Sequence, residues 1–136
     1  MGTNINLPDD IRAVWIKPVP DNFHARFSAV ARYYRYEILN RWVKSALRRN
    51  HVTTIFQPLD ESLMQLGANF LLGTHDFTSF RAQACQAKSP VKQIHSIVIK
   101  RSGDKILIDI IANAFLHHMI RNIVGTLLPV GKGEEA

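Results

Sequence analysis

The sequence predicts an α+β fold, an antiparallel sheet with helices packed on one face, and three observations carry that expectation. Residues 93–112 alternate apolar and polar positions on both sides of Ser102-Gly103-Asp104, as the arms of a β-hairpin do. Between residues 33 and 38, Tyr34, Tyr36 and Ile38 share one face of a two-residue period while Tyr33, Arg35 and Glu37 share the other. Two later stretches carry apolar residues at helical spacing, and strands and helices alternate irregularly.

Taken in order, residues 11–20 read as a strand closed by Pro18 and Pro20. Residues 23–40 read as one long extended segment. Residues 41–58 are basic, poorly periodic and end at Pro58, so they read mostly as loop. Asp60 is placed to cap a helix running to about Leu72, with Leu63, Leu66, Phe70 and Leu71 as a core stripe and Gly73 as the stop. Residues 74–92 read as a loop, long enough to carry function. After the hairpin, Phe115, Met119, Ile123 and Leu127 recur every fourth residue, so a buried helix is expected from Ala114 to about Leu128. Pro129 is expected to end it. The 136 residues read as a single domain.

Hydrophobic residues make up 46% and charged residues 21%, which excludes a disordered or low-complexity chain. No apolar run approaches the roughly 20 residues of a membrane span, and the start lacks a signal-peptide pattern. A single cysteine, Cys85, excludes an internal disulfide and fits a reducing cytoplasm. The net charge of +6 is concentrated: Arg26 to Arg49 holds seven Lys and Arg against Glu37, and the rest of the chain is balanced. Cations interleaved with Phe27, Tyr33, Tyr34, Tyr36 and Trp42 suit phosphates and unstacked bases, which makes nucleic acid the leading partner class. The bland alternative is a solvated basic face with core aromatics.

The candidate chemistry is narrow. Neighbouring His117 and His118 point about 100° apart on a helix and cannot converge on one metal ion, so no metal is expected. No Gly-rich phosphate loop or dinucleotide fingerprint occurs, which disfavours an NTPase or dehydrogenase. Arg121 is sharper. In a mostly apolar stretch its guanidinium must find an acceptor or reach water. Tyr34 reads equally as a stacking platform or as a strand tyrosine facing the core.

Five strings then accumulate in order: Phe23-His24-Ala25-Arg26-Phe27-Ser28-Ala29, Ala31-Arg32-Tyr33-Tyr34-Arg35-Tyr36, Gly73-Thr74-His75-Asp76-Phe77-Thr78-Ser79-Phe80-Arg81, Lys88-Ser89-Pro90, and Asn113-Ala114-Phe115-Leu116-His117-His118-Met119-Ile120-Arg121-Asn122-Ile123-Val124-Gly125. Together, over nearly the whole chain, they resemble the tRNA pseudouridine synthase A (TruA) family, and the chain resembles the C-terminal portion of its catalytic unit. The resemblance implies half of a pseudouridine synthase fold, a tRNA substrate modified in its anticodon stem-loop, no cofactor, and a homodimer. It implies that Tyr34 stacks on a flipped uracil and is suited to proton transfer, and that Arg121 pairs with the catalytic aspartate. Phe23, His24, Ala25, Arg26 and Phe27 match the segment associated with base flipping. Ala84, Cys85, Gln86, Ala87 and Lys88 match a tRNA-contacting loop, in which the family varies at Ala84, Ala87 and Lys88.

The family's Gly-Arg-Thr-Asp-x-Gly-Val-His motif, which holds the catalytic aspartate, does not occur in this sequence, and neither do its closing helix and final strand. The expectation is therefore a fragment truncated at both ends, which binds RNA and supplies the tyrosine but is inactive alone. The alternative is a noncatalytic RNA-binding or dimerisation module of the same fold.

Overall fold

Gly103 takes a φ of 59° and turns the chain between β4 (Val91–Ser102) and β5 (Lys105–Ala112), pairing Ser102 with Lys105 across the predicted hairpin. A left-handed backbone there is cheap only without a Cβ. Around this hairpin, a computed structural model describes residues 2–82, 85 and 87–134. Five strands run in the order β2-β1-β5-β4-β3, with β1 at Arg32–Asn40, β2 at Thr53–Ile55 and β3 at Gly73–Asp76. All pairings are antiparallel except β1–β2, which is parallel, so the predicted antiparallel sheet is mixed at one edge.

One face of the sheet is packed. Ile106, Ile108, Ile110 and Ala112 of β5 are 0% exposed, each two residues from the last, as the strand period requires. In β4 the inward positions step from Ile94 to Ile97, because a register shift between Ile94 and Ser96 inserts one residue. Ile38 and Tyr36 of β1 join this core, while Tyr33, Arg35 and Glu37 lie on the opposite face. There Arg35 holds Asp109 with two hydrogen bonds of 2.7 and 2.9 Å, and Tyr33 donates to the same carboxylate at 2.6 Å. The two-face reading of β1 is therefore correct.

Two helices cover the packed face. In α1 (Glu61–Asn69) the Asp60 carboxylate caps the first turn, accepting from the amides of Ser62 and Leu63. The predicted core stripe is largely outside: Leu63, Leu66 and Phe70 are 39%, 60% and 83% exposed, and of the four only Leu71 packs against the core. Met64 and Ala68 face inward instead. The cause is a close crossing with α2 (Met119–Gly131), where a Cβ on Gly131 would stand 2.6 Å from Met64 Cγ. Gly67 and Ala68 mark the side of α1 that meets α2, Met64 fills the space beside Gly131, and Leu63, Leu66 and Phe70 are left toward solvent.

Helix α2 buries Met119, Ile123, Val124 and Leu127 as its spacing predicts, but its limits differ from the expectation. It starts at Met119 rather than Ala114, because His118 adopts a left-handed conformation (φ 63°) that no helix can run through. It also passes Pro129 and ends at Gly131. The proline removes one amide from the ladder, and its carbonyl still accepts from Lys132 and Glu134.

Other departures follow from what lies beside each segment. Residues 11–20 form no strand, and the predicted extended segment begins as a strand only at Arg32. Pro18 and Pro20 lack the amides that a ladder needs, and among the described residues no neighbouring strand lies alongside. Conversely, β2 and β3 arise inside predicted loops because β1 and β4 offer them free edges.

Candidate active site

Tyr34 leaves the packed face near the end of the sheet, and its ring meets Phe115 edge to face, with centroids 5.1 Å apart and planes at 83°. The tyrosine is half exposed. It lines an open cleft of about 460 Å³ together with Arg32, Phe115, His117, His118 and Arg121. Strand β1 delivers Arg32 and Tyr34 two residues apart and so on one face. The left-handed turn at His118 places Arg121 in the first turn of α2.

Among the described residues, the cleft is lined by two arginines and by no carboxylate. Arg121 is exposed and forms no ion pair with an acidic residue among the described residues. Tyr34 and Arg121 are thus brought together at one site whose field favours an anion. Arg121 also borders a neighbouring polar cleft with Arg35, Glu37, Arg49 and His51.

The 23–27 segment is a turn rather than extended chain. His24 organises it, its Nδ1 accepting from the amides of Arg26 and Phe27 at 3.1 Å each. The His24 and Phe27 rings lie 4.3 Å apart, and the Arg26 guanidinium sits 5.6 Å from the Phe27 ring centre. Phe23 and Phe27 are exposed, 52% and 76%, as is Ala25 between them.

Among the described residues of the loop from 82 to 88, Ala82 and Cys85 are moored to the cleft wall through His117. Ala82 donates its amide to the His117 carbonyl at 3.1 Å, and the His117 amide donates to the Cys85 thiol at 3.3 Å. Arg81 closes the loop onto the Cys85 carbonyl at 2.7 Å. The amides of His117 and Ala87 lower the Cys85 pKa by hydrogen bonding to its sulfur. Ala87 is partly buried and Lys88 exposed, whereas Ala84 and Gln86 lie outside the described residues. Sequence reasoning missed Arg32 and Phe115 as members of the cleft. The two-residue offset of Arg32 from Tyr34 was the available signal.

A mixed sheet of five strands with both helices on one face is consistent with half of a pseudouridine synthase fold. A family profile described as tRNA pseudouridine synthase matches residues 68–136, just over half of the chain. The chain belongs to the tRNA pseudouridine synthase family. It is 54% identical over 134 residues to tRNA pseudouridine synthase A of Nitrosococcus oceani, covering 98% of this chain and 52% of that protein. The protein of the same name from Pseudomonas aeruginosa is also 54% identical over 134 residues, covering 98% and 47%. That from Methylococcus capsulatus is 51% identical over 134 residues, covering 98% and 49%. The chain spans about half the length of the curated relatives it matches.

Proposed function

We propose that this chain is the RNA-binding, tyrosine-bearing part, a single domain, of a cytoplasmic, homodimeric tRNA pseudouridine synthase. The substrate is a uridine of the anticodon stem-loop. In that reaction the bond from uracil N1 to ribose C1′ breaks, the base turns, and C5 bonds to C1′. The C5 proton leaves and N1 is protonated, so the change is an isomerisation that consumes no oxidant or cofactor. One observation carries the reading: Tyr34 and Arg121 share an open cleft that, among the described residues, is lined by no carboxylate.

Each partner has a physical role there. Flipping a base costs a few kcal/mol, and stacking on an aromatic ring offsets part of it. Tyr34, braced by Phe115, offers that ring. Arg121 keeps a free fork of donors for the aspartate that the family supplies from outside this sequence, holding it ionised and oriented for nucleophilic attack. The exposed 23–27 turn and the loop through Cys85, Ala87 and Lys88 supply the surrounding RNA contacts, with Ala84 and Gln86 assigned to the same loop.

The test is release of tritium from C5 of labelled uridine in unmodified tRNA. The isolated chain is expected to give none, because nothing in it replaces the nucleophile. The full-length protein containing it is expected to turn over and to lose most of its rate on Tyr34→Ala. Turnover by the isolated chain, or none by the full-length protein, overturns the reading. The second outcome, with tRNA binding retained, leaves the noncatalytic RNA-binding module in its place.

A further inference from the structure

Arg32 belongs to none of the roles assigned so far, yet it occupies the junction between the cleft and the 23–28 turn. Its Nη1 donates to the Asn113 carbonyl and its Nη2 to the Arg26 carbonyl, both at 3.0 Å. Asn113 is itself fixed, exchanging hydrogen bonds with the backbone of Gln93 at the end of the central hairpin. Among the described residues, no other hydrogen bond ties the 23–28 turn to the sheet.

We propose that Arg32 is a positioning residue that holds the 23–28 turn at the mouth of the Tyr34–Arg121 cleft, bridging the Arg26 and Asn113 carbonyls with one planar guanidinium. The chemistry requires arginine. Two carbonyls on different segments are met at once by the two arms of a rigid fork, whereas a lysine ammonium is a point donor on a flexible stem. Strand geometry places the fork, since Arg32 pairs with Ala112, the residue before Asn113, and shares a face with Tyr34. An exposed turn that is not anchored must be ordered each time a base is extracted, and that cost is subtracted from the energy available for flipping.

The inference rests on the synthase reading, and two measurements separate the fates of the two. In the 136-residue chain, amide hydrogen exchange of residues 23–28 is expected to quicken in Arg32→Gln and Arg32→Lys while residues 94–112 are unchanged. Unchanged exchange in the turn, or a rise across the hairpin as well, overturns the tether whatever the protein does to tRNA. In the full-length protein, single-turnover pseudouridine formation is expected to fall between about tenfold and about a hundredfold in both variants, as for groups displaced by about 1 Å. Affinity for tRNA is expected to fall by no more than about threefold, the cost of ordering the loosened turn, and its salt slope is expected to stay as in the parent. A slope reduced by about 1 identifies a phosphate contact instead and overturns the proposal. Weakening the stack around the target uridine with a neighbouring mismatch is expected to restore much of the rate, because flipping then costs less. An unchanged rate in both variants overturns the positioning role. A parent protein that forms no pseudouridine overturns the synthase reading and leaves the tether to the exchange result.

Discussion

Val14, Trp15 and Ile16 are as apolar as Ile106, Ile108 and Ile110, but the first three are 90%, 79% and 96% exposed and the last three are 0%. Both sets belong to stretches rich in strand-forming residues. The hairpin strand β5 has a neighbour on each side and helices over its inner face, so each isoleucine removed from water contributes about 2–3 kcal/mol. Among the described residues the 11–20 stretch has no strand alongside, and its Val14, Trp15 and Ile16 gain little of this. A strand pattern therefore states what a segment can bury, and the neighbours decide whether it does.

This contrast is sharpened most by Ile108→Ala. The residue is fully buried in the middle of β5, so the substitution is expected to cost about 3 kcal/mol through lost transfer energy and a cavity, measured as a lower urea midpoint. A smaller effect is expected on the outer face of the same strand. The Arg35 guanidinium holds the Asp109 pKa below the usual carboxylate range. A depressed carboxyl stabilises the fold above the unfolded value of about 4, and the contribution is lost as pH falls through the lower folded value. Asp109→Asn is expected to cost under about 1 kcal/mol at neutral pH, since the pair is partly exposed, and the difference from the parent is expected to vanish in acid. Denaturant titrations from pH 7 down to pH 2.5 measure both arms. The smallest effect belongs to Ile16→Ser, expected to change stability by less than about 0.5 kcal/mol. A large loss there breaks the contrast, because it requires a neighbour for the 11–20 stretch.

The same logic separates what was legible in the sequence from what was not. The hairpin, the faces of β1 and the Asp60 cap depend on local chemistry, namely a glycine turn, a two-residue period and a side-chain acceptor, and each was readable. The inward face of α1 depends on how closely α2 approaches, and that is decided by Gly131, more than sixty residues away. Periodicity picked Leu63, Leu66 and Phe70, and missed Met64 with Ala68. At the cleft, Arg121 stood out as a guanidinium in an apolar stretch, while Tyr34 was undecided until the family motifs gave both residues their roles. Arg32 required knowledge that residues 26 and 113 lie within reach of one guanidinium.

His117 moors the 82–88 loop with its own peptide amide and carbonyl, against the thiol of Cys85 and the amide of Ala82. The loop's location is therefore written in residues other than most of those it presents. A lineage can exchange Ala87 or Lys88 without unfastening the loop, so divergence in what the surface recognises is uncoupled from divergence in where that surface stands. Heritable change at Cys85 is of another kind, because it alters the fastening itself.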